Sequence, residues 1–189
     1  MRVTVRGGTA SGTIRFSFYG LLLGIAVANV AIGFADMWRD SERIEVGTCP
    51  PLLACIVLLG GMNVWLTTWQ TRHDAGVSGW QMLAAAGIAL PYVFVSRAMF
   101  PGEEKEPELS LEDHYLKHRV LILAMLAVPP VVGAISRALL DDIHEYGLRE
   151  AWMTIRIAAP LLLMPFRGRK VQRAGLGGFA VLELIGLFR

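Results

Sequence analysis

The sequence predicts an all-α fold: a polytopic transmembrane helical bundle of about six helical segments, the last two short. Three observations predict it. The chain of 189 residues is 54% hydrophobic and 18% charged, with a mean hydropathy of +0.48. Its apolar residues come in long blocks that carry no charge, where a soluble domain would show short periodic runs; a hydrocarbon core about 30 Å thick asks a helix for such blocks. Little chain is left between the blocks, so residues 1–189 read as a single transmembrane domain.

The first span is expected over 14–37. Phe16 to Ala35 gives 20 uncharged residues between Arg15 and Asp36. Arg2 and Arg6 precede it and Ala26-Val27-Ala28 resembles a signal-peptide cleavage site, but the apolar stretch continues to Phe34, which makes it a span. The second span, over 50–71, lies within 26 uncharged residues between Glu45 and Arg72. Pro50 and Pro51 open it, since proline suits a first helical turn. Trp65 and Trp69 sit near its other end, where interfacial tryptophan belongs. The third, over 77–99, lies within 22 uncharged residues between Asp74 and Arg97, with Trp80 at its start and Pro91 inside. The fourth, over 119–140, contains 17 uncharged residues from Val120 to Ser136, with Pro129 and Pro130 in its middle. Two adjacent prolines break a lone helix, so this one needs neighbours that satisfy the freed carbonyls.

The last segments, 151–166 and 174–188, hold one charge each, Arg156 and Glu183. At about 24 Å of helix apiece they fall short of the hydrocarbon thickness. They are either short spans in a thinned bilayer or a re-entrant hairpin. The polar insert 101–118 begins as an acidic, proline-bearing linker. Ser110, followed by Glu112 and Asp113, then reads as a helix start that runs into the fourth span.

A net charge of +2 gives no case for a nucleic-acid partner, and the lipid bilayer is the partner the composition asks for. Cys49 and Cys55, spaced C-P-P-L-L-A-C, match neither a zinc nor a redox motif. No G-x-S-x-G, phosphate loop or dinucleotide fingerprint occurs, so no cofactor and no catalytic residue is assigned. Lysine and arginine decide orientation. Of the eighteen, ten fall in the loops joining spans 1–2, 3–4 and 5–6, with the densest cluster at 167–173. Those loops are expected in the cytoplasm and both termini in the periplasm.

Arg156 and Glu183 are the most informative polar residues. Arg156 lies 13 residues before Arg169 and Glu183 lies 13 after Lys170, so an antiparallel hairpin puts them at one depth. A lone arginine at mid-span costs about 2.5–3.5 kcal/mol, which an acid at the same depth relieves. The pair lines an ion, proton or ligand pathway, or it docks two short helices. Arg137 should lie near that level, and the loop after it carries Asp141, Asp142, His144 and Glu145. Asn29 and Asn63 are deep polar groups that either bond across to other helices or line a pore. Gly20, Gly24 and Ala28 form a small-residue stripe that permits close packing within or between chains. His114 and His118 share a helix face at the spacing of a weak metal site, without the glutamate of H-E-x-x-H.

The stretch F-Y-G-L-L-L-G-I-A-V-A-N-V and the acidic linker followed by H-Y-L-K-H-R resemble a group of small uncharacterised bacterial multi-span membrane proteins. The resemblance implies a location in the bacterial inner membrane and carries no activity. Three functional expectations follow from the residues. The first is a channel or transport-type protein that works as a homo-oligomer. The second is an accessory or assembly subunit bound to another membrane protein. The third is an interfacial enzyme built on His114, His118 and Asp113.

Overall fold

In the computed structural model, residues 8–39, 45–70, 79–101, 110–140 and 147–188 are described. The acidic linker expected at 102–109 and the residues Asp141, Asp142, His144 and Glu145 lie outside them. Six helices and no strand are found among the described residues: α1 (Gly8–Arg39), α2 (Cys49–Gln70), α3 (Gly79–Ala98), α4 (Leu111–Leu140), α5 (Leu148–Leu163) and α6 (Arg169–Leu187). The all-α bundle expected from the apolar blocks is the observed fold.

Four helices, α1 to α4, are long and apolar enough to cross a membrane. Their outward faces agree with that. Leu21, Leu83, Leu90, Ile135 and Leu139 are exposed, and the shorter α5 and α6 carry the same belt, with Leu162 at 68% and Val181 at 56% exposed. A monomer in water rarely shows contiguous apolar surface on this scale. The chain is therefore a multi-pass membrane protein. Tryptophan collects towards the helix ends. At one end, Trp65 and Trp69 stack with ring centroids 5.8 Å apart, and Phe16 packs against both. Exposed Trp38 sits at the opposite end, in the last turn of α1.

The helices close a circuit in the order α1, α3, α4, α5, α6, α2 and back to α1. α2 reaches across it, touching α3 and α4 as well. Its buried residues accordingly run its full length, from Cys49 to Thr68. The main core gathers Leu53, Ile56, Tyr92, Val95, Ile122, Leu123, Leu176 and Phe179 from α2, α3, α4 and α6. Three helices run through internal prolines, α3 past Pro91, α4 past Pro129 and Pro130, and α5 past Pro160.

Two local devices set the ends. Ser110 caps α4: the Asp113 amide donates to Ser110 Oγ at 3.2 Å, and the serine hydroxyl donates to Asp113 Oδ2 at 2.9 Å. Ahead of α2, the chain turns at Gly47, whose φ of +65° is left-handed. A Cβ there would also come within 2.5 Å of Glu112 Oε2. Gly47 is thus required twice, by backbone conformation and by the close approach of α4.

The glycine readings can be tested together. Gly47→Ala is expected to cost about 1–2 kcal/mol from the left-handed backbone alone. Gly24→Ala, where a Cβ meets nothing within 4 Å, is expected to be neutral. Thermal unfolding in mild detergent reads both, and equal midpoints for the two variants would show that the turn at Gly47 is not strained.

Candidate functional site

The site is built on the α5–α6 hairpin where it meets α2. Residues 164–168 reverse the chain, so α5 and α6 run antiparallel. The equal spacing of Arg156 and Glu183 from the turn then brings them together. Arg156 Nε donates to Glu183 Oε1 at 2.9 Å and Nη2 donates to Oε2 at 2.8 Å, a bidentate fork. Glu183 is 2% exposed and the Arg156 side chain 18%.

α2 supplies the third member. Asn63 Nδ2 donates to the Glu183 backbone carbonyl at 2.8 Å and to Oε2 at 2.9 Å. The approach is close because position 186 is glycine: a Cβ there would lie 3.1 Å from Asn63 Nδ2. On the α3 side the Tyr92 hydroxyl lies beside the Arg156 guanidinium. Tyr92 is seated against Gly60, where a Cβ would meet its ring and hydroxyl at 2.8 Å. A buried carboxylate, a guanidinium, an amide and a phenol from four helices thus share one level of the bundle.

Above this level lies a cavity of about 410 Å³. Arg156, Asn63 and Tyr92 form its inner limit; Trp80, Gln81 and Arg137 lie at the other. The twelve residue steps along α3 from Tyr92 to Trp80 give it a depth of about 18 Å. Its apolar wall includes Ile88, Pro129 and Pro130, and Thr67, Thr68 and Ser136 add hydroxyls. Arg137 donates from Nη2 to Glu150 Oε1 at 3.0 Å, linking α4 to the first turn of α5.

The opposite end of the bundle is closed by polar bonds. Arg173 forks onto the buried Glu112 at 3.0 and 2.8 Å, which holds the arginine above its ordinary range, and Cys49 Sγ lies 3.6 Å from the same carboxylate. Tyr115 donates to Gln172 Oε1 at 2.7 Å, and Gln172 Nε2 donates to the carbonyls of Leu163 and Phe166, each at 2.7 Å. Arg169 pairs with Asp113 at 2.6 Å. These contacts stitch the start of α6 to the start of α4.

The other singled-out residues fall elsewhere. Asn29 donates to Ser96 Oγ at 3.2 Å, tying α1 to α3. The His114 and His118 rings lie 4.6 Å apart and tilted, but each has a ring nitrogen on a backbone carbonyl, that of Ala98 and that of His114. Asp113 is turned to Ser110 and Arg169, so the three groups of the interfacial-enzyme reading do not converge. Among the described residues no group of three metal-ligating side chains forms. A Cβ at Gly20 or Gly24 would meet nothing within 4 Å among the described residues, and Gly24 and Ala28 face outward. The lattice of Glu112, Arg173, Tyr115 and Gln172 was not singled out. Its partners lie 57 to 61 residues apart, and no local pattern pairs them.

Comparison with known proteins returned no matching family model, no matching curated protein and no matching solved structure.

A double-mutant cycle tests the inner cluster. Arg156→Gln leaves Glu183 buried without its cation and is expected to cost about 3 kcal/mol. Arg156→Gln combined with Glu183→Gln leaves no uncompensated charge and should recover at least half of that loss. Detergent unfolding of the three variants decides it; additive losses would mean that the pair is not coupled.

Proposed function

We propose that this chain is a transport-type membrane protein whose solute path runs through the protomer's own cavity. One observation carries the reading: a polar-floored cavity reaches about 18 Å along α3 from one end, while the fork of Arg173 on the buried Glu112 and the side-chain bonds of Gln172 close the other end. A bundle accessible from one end, with a coupled ion pair at the floor, is what one state of an alternating-access protein requires. Asn63 and Glu183, the deep polar residues a shared oligomeric pore would present to its axis, face each other inside one chain. That favours a path within the protomer over a channel formed between protomers.

The arginine and lysine distribution and the bacterial resemblance support an inner-membrane location, with the α5–α6 turn cytoplasmic and the cavity facing the periplasm. In bacterial cells producing Thr67→Cys in a Cys55→Ser background, a membrane-impermeant thiol reagent added outside should modify the cavity cysteine. Proteoliposomes holding the unmodified protein should take up at least one solute from a panel of small anions, cations and neutral molecules. A panel that never exceeds protein-free liposomes removes the transport reading; a cysteine reached only from the cytoplasmic face reverses the orientation.

A second reading, an assembly with another copy or with a different membrane protein, is favoured by the outward stripe. Gly24 and Ala28 present a flat face on α1 that no helix among the described residues covers, and small residues of this kind let helix backbones approach in lipid. Gly24→Leu should leave the unfolding midpoint unchanged and lower the mass of the particle in mild detergent. If wild type and variant are both monomers, self-association through this face is ruled out.

A further inference from the structure

We propose that the cavity is a binding site for a small uncharged molecule with a flat apolar body, an aromatic ring system without an ionised group. The inference names the ligand class of the cavity on which the transport reading rests. It comes from the charge balance of the wall and from its shape. The charged residues in the lining are Arg137 and Arg156. Each is neutralised by a carboxylate outside the lining, Arg137 by Glu150 at 3.0 Å and Arg156 by the fork of Glu183 at 2.9 and 2.8 Å. The Tyr92 hydroxyl also stands beside Arg156. An ion of either sign entering here gives up its water and meets no uncompensated opposite charge among the described residues. A desolvated charge without a partner is the costliest group to bury.

The neutral donors are committed in the same way. Thr67 Oγ1 donates to the Asn63 carbonyl at 2.9 Å, and Thr68 Oγ1 donates to the Val64 carbonyl at 2.8 Å. Asn63 Nδ2 is held by Glu183. Ser136 Oγ and Arg137 Nη1 are closed to water although their residues line the cavity. These donors serve the protein's own helices, so recognition falls to apolar contact.

The shape of the ligand follows from the wall. Lining residues come from five helices, α1 to α5, inside the closed circuit. On α4 the wall is Pro129, Pro130 and Gly133. A Cβ at Gly133 would meet nothing within 4 Å among the described residues, so the missing side chain opens the cavity down to the α4 backbone. Ile88 on α3, Tyr19 on α1 and Met153 on α5 add apolar surface. Proline and tyrosine rings are flat and rigid, and a flat ring system covers them with little loss of its own freedom. The volume of about 410 Å³ lies within the range of small-molecule sites, whose walls are mostly apolar.

The test uses full-length protein in mild detergent at neutral pH and 2-naphthylmethanol as the probe, measured by calorimetry against protein-free micelles. Near one naphthylmethanol per chain is expected. The anion 2-naphthoate and the cation 2-naphthylmethylamine, with the same ring system, should bind at least about tenfold more weakly. Gly133→Leu places a side chain in the cavity. It should keep or raise the unfolding midpoint, since leucine favours a helix over glycine, and weaken naphthylmethanol at least about tenfold. Gly24→Leu, on the outward face of α1, should leave binding unchanged. Either ion binding as tightly as the alcohol, no heat beyond that of micelles, or unchanged affinity in a folded Gly133→Leu would each overturn the proposal. A phospholipid that co-purifies at one per chain with the wild type but not with Gly133→Leu would assign the cavity to an acyl chain and overturn it likewise. If Gly133→Leu does not fold, the ranking of the three probes on the wild type decides alone. The outcome is separable from transport. Naphthylmethanol binding without flux of any solute overturns the transport reading alone. Flux of small ions without naphthylmethanol binding overturns the ligand class alone.

Discussion

A carboxylate withdrawn from water into an apolar bundle is stable only if cations and donors replace its hydration shell. Glu183 meets that demand from three sides: its own helix carries it, Arg156 on α5 forks onto it, and Asn63 on α2 donates to it. Because both Asn63 and Arg156 must reach one carboxylate, the hairpin can sit against α2 in one register only. A slide of either helix by one turn, about 5.4 Å, would leave a charge unpaired. The glycines beneath the cluster belong to the same constraint. Gly186 admits Asn63, and Gly60 admits Tyr92, which stands beside the arginine.

The second polar layer has a different character. Glu112, Arg173, Tyr115 and Gln172 join the starts of α4 and α6 near one end of the bundle, and Arg173 remains half exposed. Asp113 and Arg169 add a pair that is exposed on both sides, worth little by itself. The hairpin is therefore held at two levels, by a desolvated fork midway along and by a partly hydrated seam at one end. Between the cluster and the other end, α4 and α5 are joined by Arg137 and Glu150, and the space that remains is the cavity. The asymmetry of the cavity is a direct consequence of where the polar bonds lie.

How much of this was legible in the sequence depends on the range of the physics involved. Helix class and number follow from uncharged blocks, which are local. The depth match of Arg156 and Glu183 follows from counting residues to a shared turn, which is local to one hairpin. Ser110 with Asp113 is a cap readable within four residues. The partner of Asn63 was not readable, because two spans and one further helix separate it from Glu183, 120 residues away. Glu112 looked like a helix-dipole acid in a first turn, and its buried fork with Arg173 depends on how α6 returns to α4. Gly20, Gly24 and Ala28 looked like packing residues, yet the circuit of helices turns Gly24 and Ala28 outward, and nothing in their spacing tells an inner face from an outer one.

The short helices follow the same logic as the ion pairs. At 16 and 19 residues, α5 and α6 make about 24 and 28 Å of helix, at or below the hydrocarbon thickness. A short helix with a buried charge is unstable alone in lipid, since it can bury neither its ends nor its charge. Paired, the charges cancel, and the apolar residues Leu162, Val181 and Ile185 are left to face lipid. The hairpin therefore depends on its neighbours more than α1 to α4 do: α6 seats Leu176 and Phe179 in the main core beside α2, and the polar bonds at two levels fix the register of that packing.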